Sequence, residues 1–179
     1  LLENTRAQDY IKRFDHRAAS MYRGMKADTY EGGHRIPFIV RWPGKVEAGS
    51  SSNYKTTLTN LIATTAEIVG VNLNENTGED SQSILPVLLN DEKNVEVEIP
   101  IIHHSSKGHF AIRKGDWKLI EKRGSGGFSI PVTIEPKEGE SIGQLYNLVT
   151  DPSEKNNIYT ENPKVVDALL LELNNIRER

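Results

Sequence analysis

Cysteine does not occur in this chain of 179 residues. Its absence removes disulfides, thiolate metal sites and cysteine nucleophiles together, and says nothing about redox compartment. Long apolar runs are missing too. No stretch approaches the ~20 residues that cross a bilayer as a helix, and the opening LLENTRAQDY lacks the layout of a signal peptide. No methionine starts the chain, so it is read as a portion of a longer protein. Charge of one sign is not in excess either. Against 25 acidic residues stand 22 basic ones, a formal net charge of −3. No overall positive field therefore draws the chain to nucleic acid or to an anionic membrane, and neither is expected as a partner. What is present is an ordinary globular composition, 36% hydrophobic and 26% charged, on a chain long enough to bury a core.

Much of the legible chemistry gathers in Tyr22 to Gly44, YRGMKADTYEGGHRIPFIVRWPG. A lysine, a glycine pair and a run of polar side chains precede an apolar stretch, Ile36 to Trp42. Gly32 and Gly33 let the backbone turn sharply or approach a ligand closely. Pro37 suits the start of a strand. Ile36, Phe38, Ile39 and Val40 are too continuously apolar for a half-exposed strand, so 36–42 is expected to be a strand covered on both faces. Pro43-Gly44 ends it. A polar loop beside a buried strand is where open α/β sheets place ligands. The same pattern also fits a purely structural turn ahead of a core strand.

Along the rest of the chain, helical spacing is predicted over Leu1 to Phe14 and again over 58–69. The second helix has Thr57 or Thr59 as cap, Gly70 as stop, and a stripe of Leu58, Leu61, Ile62, Thr65, Ile68 and Val69 read as core. Ser81 to Leu89 reads as a short apolar helix started or kinked by Pro86. Val97 to Ile102 reads as a strand. Phe110 to Arg113 and Trp117 to Ile120 read as a hairpin about Lys114-Gly115. Gly124 to Gly143, with many glycines and Pro131 and Pro136, reads as a long loop. Gln144 to Leu148 is a further strand. Asn162 and Pro163 open a last helix, whose stripe of Val165, Val166, Leu169, Leu170, Leu173 and Ile176 packs into a core. The charged, apolar-poor segment Asn90 to Glu96 sets a boundary between 1–94 and 95–179. No internal repeat is visible.

Gly24-x-Lys26, Tyr30-Glu31-Gly32-Gly33-x-Arg35-x-Pro37 and Trp42-Pro43-Gly44 together resemble the second signature region of the type I sulfatases. These are sulfate-ester hydrolases of the alkaline-phosphatase-like superfamily. FAIRKGDWKLI, from Phe110 to Ile120, resembles the hairpin opening their small C-terminal antiparallel sheet. LYNLVTDPSEKNNI, from Leu145 to Ile158, resembles their tail, where an Asp-Pro turn follows the last strand. The resemblance implies an α/β fold. Residues 1–94 would be the tail of an alkaline-phosphatase-like mixed sheet with packing helices, and 95–179 a small antiparallel-sheet subdomain with a C-terminal helix. It implies the C-terminal portion of a sulfuric ester hydrolase cleaving aryl or carbohydrate sulfate monoesters. A sulfated small molecule or glycan and the N-terminal part of the same protein would be the partners, in a periplasmic or secreted location.

A sulfate monoester resists hydrolysis because its oxygens repel a nucleophile and the leaving oxygen must take up charge. Cations and donors held at those oxygens lower the barrier. The resemblance implies a formylglycine nucleophile, made from Cys or Ser in Cys/Ser-x-Pro-x-Arg, and a calcium ion held by Asp and Asn. No such motif occurs here. Formylglycine and the calcium ligands are therefore expected outside this chain, and the chain alone is expected to be inactive. Asp28, Glu31, Glu79 and Asp80 follow no calcium-loop pattern and are read as surface charge.

Lys26 stands where the family has a lysine reaching the sulfate near the bridging oxygen. A compact ammonium on a flexible stem suits that task, although a lone loop lysine also reads as a solvated charge. Three of the five histidines, His103, His104 and His109, cluster at a strand end. With His34 they are candidates for gripping substrate, able to donate to sugar hydroxyls or, when protonated, to pair with anions. A polar loop with histidines bonded to backbone fits equally. Two other roles stay open on the residues: an anionic-glycan-binding pseudoenzyme module, or a phosphodiesterase or phosphonate hydrolase of the same superfamily.

Overall fold

A computed structural model describes residues 13–91 and 99–178. The described chain forms two compact units. One joins the residues up to Ile36 with Ile102–Arg179, and the other is Pro37–Ile101. The helix expected over Leu1 to Phe14 falls almost wholly outside the described residues, as do Val97 and Glu98 of the strand expected over Val97 to Ile102.

The first unit is built on a four-stranded sheet in the order β1-β2-β3-β4: β1 Ile101–His104, β2 Phe110–Lys114, β3 Trp117–Ile120 and β4 Gln144–Asn147. β2 and β3 are antiparallel with Lys114 opposite Trp117, so the hairpin forms as expected but turns at Gly115-Asp116, one residue beyond the expected Lys114-Gly115. β3 and β4 are antiparallel with Leu119 opposite Leu145. Side chains alternate between faces, and here the two faces differ in chemistry. Ile112, Leu119 and Leu145 point to one face, where they form a core with Val166, Leu169 and Leu173 of α4, Pro163–Arg177. Of the stripe predicted for the last helix, Val166, Leu169 and Leu173 are buried and Val165, Leu170 and Ile176 half-buried. Asn162 occupies its N-cap position without a side-chain cap bond, and its amide donates to the Ile158 carbonyl instead.

The opposite face carries Ala111, Ile120, Tyr146 and also Lys118, all buried. Tyr30 closes over Ala111, Ile120, Tyr146 and Leu148. Next to it the chain makes a single helical turn, α1 Glu31–His34, from the glycine pair. Both glycines are needed for packing against the chain itself. A Cβ on Gly32 would come within 2.6 Å of the Arg23 carbonyl oxygen, and one on Gly33 would overlap the Asp28 carbonyl.

In the second unit, α2 is Asn60–Val69, ended by Gly70 at φ 70°, and α3 is Leu85–Leu88 with Pro86 in its first turn. Thr59 sits at the N-cap of α2 but makes no side-chain cap bond. Two expectations fail here. Ile36 to Trp42 is not a strand, and Ile36, Phe38 and Ile39 are exposed, Ile39 by 89%. A strand exists only where a neighbour completes its ladder, and among the described residues none pairs with this segment. The stripe of α2 is likewise open, with Leu58, Leu61, Ile62, Ile68 and Val69 exposed. The helix holds its unit through polar groups: Thr64 Oγ1 accepts the Ile84 N–H at 3.0 Å, and Asn60 Oδ1 accepts the Gln82 N–H at 3.2 Å. A groove of about 780 Å³ is lined by Phe38, Val40, Trp42, Ile84 and Leu88, among others.

Candidate functional site

The loop that carries the signature is anchored by charge on the polar face of the sheet. Lys118, in the middle of β3, is fully buried. Its Nζ donates to Glu31 Oε1 at 3.1 Å and to His34 Nε2 at 3.1 Å. The third neighbour is Glu154 Oε1 at 2.9 Å, close enough for an ion pair though not aligned as a hydrogen bond. Glu31 also accepts from Arg35 Nε at 2.7 Å and Arg113 at 3.0 Å. Glu154 Oε2 accepts the backbone N–H of Glu31 at 2.6 Å. Burial alone would raise the pKa of Glu31, but the charges of Lys118, Arg113 and Arg35 outweigh it and hold the carboxyl at about 2. For Glu154 burial prevails over Lys118 and its pKa is raised. One ammonium serves two carboxylates, and the guanidinium groups of Arg35 and Arg113 both pair with Glu31.

Glu31 and Asp28 are therefore not the surface charges expected. Both are buried, 1% and 2% exposed, whereas Glu79 and Asp80 are exposed. Lys118 and Glu154 were not singled out from the sequence at all. The readable signal was the alternation in Trp117 to Ile120, which puts Lys118 on the face opposite Leu119. Nothing local marks that face as covered.

Around this core, Arg23 donates to the Glu154 carbonyl at 2.7 Å and lies 3.9 Å over the Tyr30 ring. Tyr30 and Tyr146 both donate to Gln144 Oε1, at 3.0 and 2.7 Å.

Lys26 is exposed at the tip of a tight turn, Met25 to Asp28, closed by the Asp28 N–H to the Met25 carbonyl at 3.0 Å. No ion pair engages it among the described residues. The Ala27 carbonyl accepts the Ser106 N–H at 3.0 Å, so the loop after β1 adjoins this turn.

The four candidate histidines separate. His34 and His103 come together, their rings 3.8 Å apart, beside Lys118. Burial and then the Lys118 charge lower His34 to about 2 and His103 to about 4, so both are neutral at ordinary pH. His34 accepts from Lys118 through Nε2, which puts its proton on Nδ1. His103 faces the Thr29 carbonyl through Nε2 at 3.1 Å, leaving Nδ1 buried without a partner. His109 is buried in the turn after β1, its N–H donating to Ser105 Oγ at 3.0 Å. Its pKa is lowered, by burial and then by Lys122. His104 is exposed, with Nδ1 2.8 Å from the Ser105 carbonyl and its ring 5.4 Å from Phe110. Among the described residues no three His, Asp or Glu side chains are grouped to hold a metal ion. Those in the buried cluster already face lysine, arginine or backbone partners.

Residues 25–179 match the family model described as "N-sulphoglucosamine sulphohydrolase, C-terminal". The chain belongs to this family. An N-acetylgalactosamine-6-O-sulfatase of Bacteroides thetaiotaomicron is 35% identical over 164 residues, which covers 92% of this chain and 31% of that protein. An arylsulfatase of Hemicentrotus pulcherrimus is 37% identical over 100 residues, 56% of this chain and 18% of that one. A structure solved in a study of glycosaminoglycan metabolism by Bacteroides thetaiotaomicron superposes with a TM-score of 0.77 at 34% identity, over 96% of this chain and 35% of that one. The sulfatase relatives share the alkaline-phosphatase-like fold, and the chain spans less than a third of the length of these two curated relatives. The buried Glu31–Lys118–Glu154 cluster and the Lys26 turn both lie within the matched residues.

Proposed function

We propose that this chain is the C-terminal portion of a sulfuric ester hydrolase that cleaves carbohydrate or aryl sulfate monoesters, and that Lys26 is its contribution to the reacting centre. The observation carrying this reading is the placement of Lys26. The signature loop is pinned through buried charges to a rigid sheet, yet the lysine at its tip is exposed and engages no carboxylate among the described residues. A free ammonium on a fixed base is suited to a developing negative charge at the bridging oxygen of a sulfate. Family membership and the N-acetylgalactosamine-6-O-sulfatase relative support the substrate class.

The candidate histidines would serve from two sides of the sheet: His104 is exposed with its ring beside Phe110, while His34 and His103 lie together beside Lys118 and the signature loop. Lys118 and the Thr29 carbonyl each engage one ring nitrogen of His34 and His103, whereas Ser105 engages only the backbone N–H of His109, whose Nδ1 is buried without a partner. His34 and His103, being neutral, would grip sugar hydroxyls and not sulfate charge. Formylglycine and calcium, if the whole protein uses them, supply the nucleophile and a charge at the sulfate from outside this chain. Among the described residues no set is grouped to hold the metal, and the sequence has no Cys/Ser-x-Pro-x-Arg. The corresponding division of the whole protein puts 1–94 in the large α/β domain and 95–179 in the small subdomain.

The test is Lys26→Ala in the complete polypeptide, assayed with 4-nitrophenyl sulfate and with 6-O-sulfated N-acetylgalactosamine. We expect kcat to fall roughly ten- to a thousandfold, the scale of one preorganised donor, with KM changed much less. The sugar ester, with the poorer leaving group, should lose more. Wild-type kcat on both esters in a folded variant would reduce Lys26 to a surface charge.

A further inference from the structure

The carboxylate of Asp28 is buried, and two separate stretches of chain donate to it. Oδ2 accepts the Met25 N–H at 2.9 Å and the Ser129 hydroxyl, while Oδ1 accepts the N–H groups of Phe128 at 2.7 Å and Ser129 at 3.0 Å. All four donors are neutral and three belong to the backbone. No lysine or arginine pairs with it among the described residues. A carboxylate is costly to bury even when its lone pairs are filled, but four donors converging on two oxygens need a group with two acceptor oxygens and no donor of its own.

What it holds is the turn that presents Lys26. Ala27, at the tip beside Lys26, has φ +80°, a left-handed conformation that residues with a Cβ avoid. Such a conformation persists only where the surroundings over-determine it. Here the Met25 N–H and the Asp28 N–H close the turn from within, and the Ser106 N–H holds the Ala27 carbonyl from outside. Gly127 lies against the same turn so closely that a Cβ on it would overlap the Ala27 carbonyl oxygen and Asp28 Oδ1. The long loop expected to be irregular is thus firmly placed at 125–129, and Asp28 is the side chain that fastens it to the Lys26 turn.

We propose that Asp28 is a positioning residue for Lys26, clamping the left-handed turn against Gly127–Ser129 so that the lysine stem leaves the backbone in one fixed direction. The inference rests on the reading of Lys26 as the sulfate-contacting lysine. A flexible stem wastes an ammonium unless its base is held, and small misplacements of a catalytic group cost rate more than binding.

The experiment is a double-mutant cycle in the complete polypeptide with 4-nitrophenyl sulfate and 6-O-sulfated N-acetylgalactosamine. Asp28→Asn keeps one acceptor oxygen and turns the other into a donor, so it cannot satisfy both loops. We expect kcat on the sugar ester to fall roughly ten- to a hundredfold with KM little changed, and no further fall when Asp28→Asn is added to Lys26→Ala. Ser129→Ala, which removes only the hydroxyl, should show a smaller loss of the same pattern, and it decides the matter if Asp28→Asn does not fold. Equal losses in both backgrounds, or a lowered Tm with unchanged kcat, would overturn the positioning role while leaving Lys26 in place. Wild-type kcat for Lys26→Ala, or no turnover of either ester by the wild type, would overturn the underlying reading and this proposal with it.

Discussion

The ammonium of Lys118 lies 2.9 Å from a carboxylate oxygen of Glu154, and neither side chain is exposed. Removing the cation strands Glu154 and takes from Glu31 one of its three cationic partners. Lys118→Met should therefore destabilise the protein by about 3–5 kcal/mol, the usual cost of breaking a buried pair from one side. Urea denaturation of the variant against wild type measures it. A shift below ~1 kcal/mol, the range of a surface ion pair, would show that the cluster is not as dry as described.

Glu31 and Glu154 act oppositely in acid. Glu31 is held at about 2 against an ordinary 4.5, so its stabilisation is complete above pH 4.5 and is lost as pH falls toward 2. Glu154 is raised, so folding favours its protonated form, and that contribution is lost as pH rises through its folded value. Glu31→Gln should cost roughly 3 kcal/mol at pH 7, with the difference from wild type shrinking steadily below pH 4.5. Glu154→Gln should cost less at pH 7. Denaturant midpoints from pH 7 to pH 3 check both, and a Glu31→Gln penalty that does not change with pH contradicts the first.

Gly33→Ala tests why the glycine pair is there. The added methyl would overlap the Asp28 carbonyl, which is backbone and cannot rotate away. Overpacking of this kind costs about 1–3 kcal/mol, more where backbone must move. We expect a lower Tm together with a lower kcat, because the displaced atoms belong to the Lys26 turn. An unchanged Tm would mean that the glycines serve a ligand and not the fold.

Ile36, Phe38, Ile39, Leu58, Leu61, Ile62 and Val69 are all exposed. Apolar surface on that scale seldom stays bare in a soluble monomer. Expressed by itself, this chain should bind 1-anilinonaphthalene-8-sulfonate and self-associate by light scattering. A monodisperse monomer with one cooperative melt would contradict the expectation.

The hairpin Phe110 to Ile120 was legible because its determinants are local: alternation, a turn residue, and strands that meet across two residues. The last helix was legible for the same reason. Lys118 was not, because a lysine in a strand reads as solvent-facing until Glu31 and Glu154, both remote in sequence, are known to cover it. Asp28 was misread in the same way, its partners being backbone N–H groups of a loop that has no period of its own. For Ile36 to Trp42 the composition was read correctly as apolar, but a strand also needs a neighbour. The exposure of the α2 stripe has the same origin, in that apolar spacing states what could be buried and not by what.

Glu154 also imposes an order of events. Its carboxylate receives the N–H of Glu31 across 123 residues of chain, and proteins are made from the other end. While the polypeptide is still being synthesised, Glu31 and Lys118 emerge first and wait, with no second carboxylate to complete their arrangement. The loop that carries Lys26 can take its final geometry only after Glu154 has left the ribosome. The turn that carries Lys26 is thus completed by a segment made well after it.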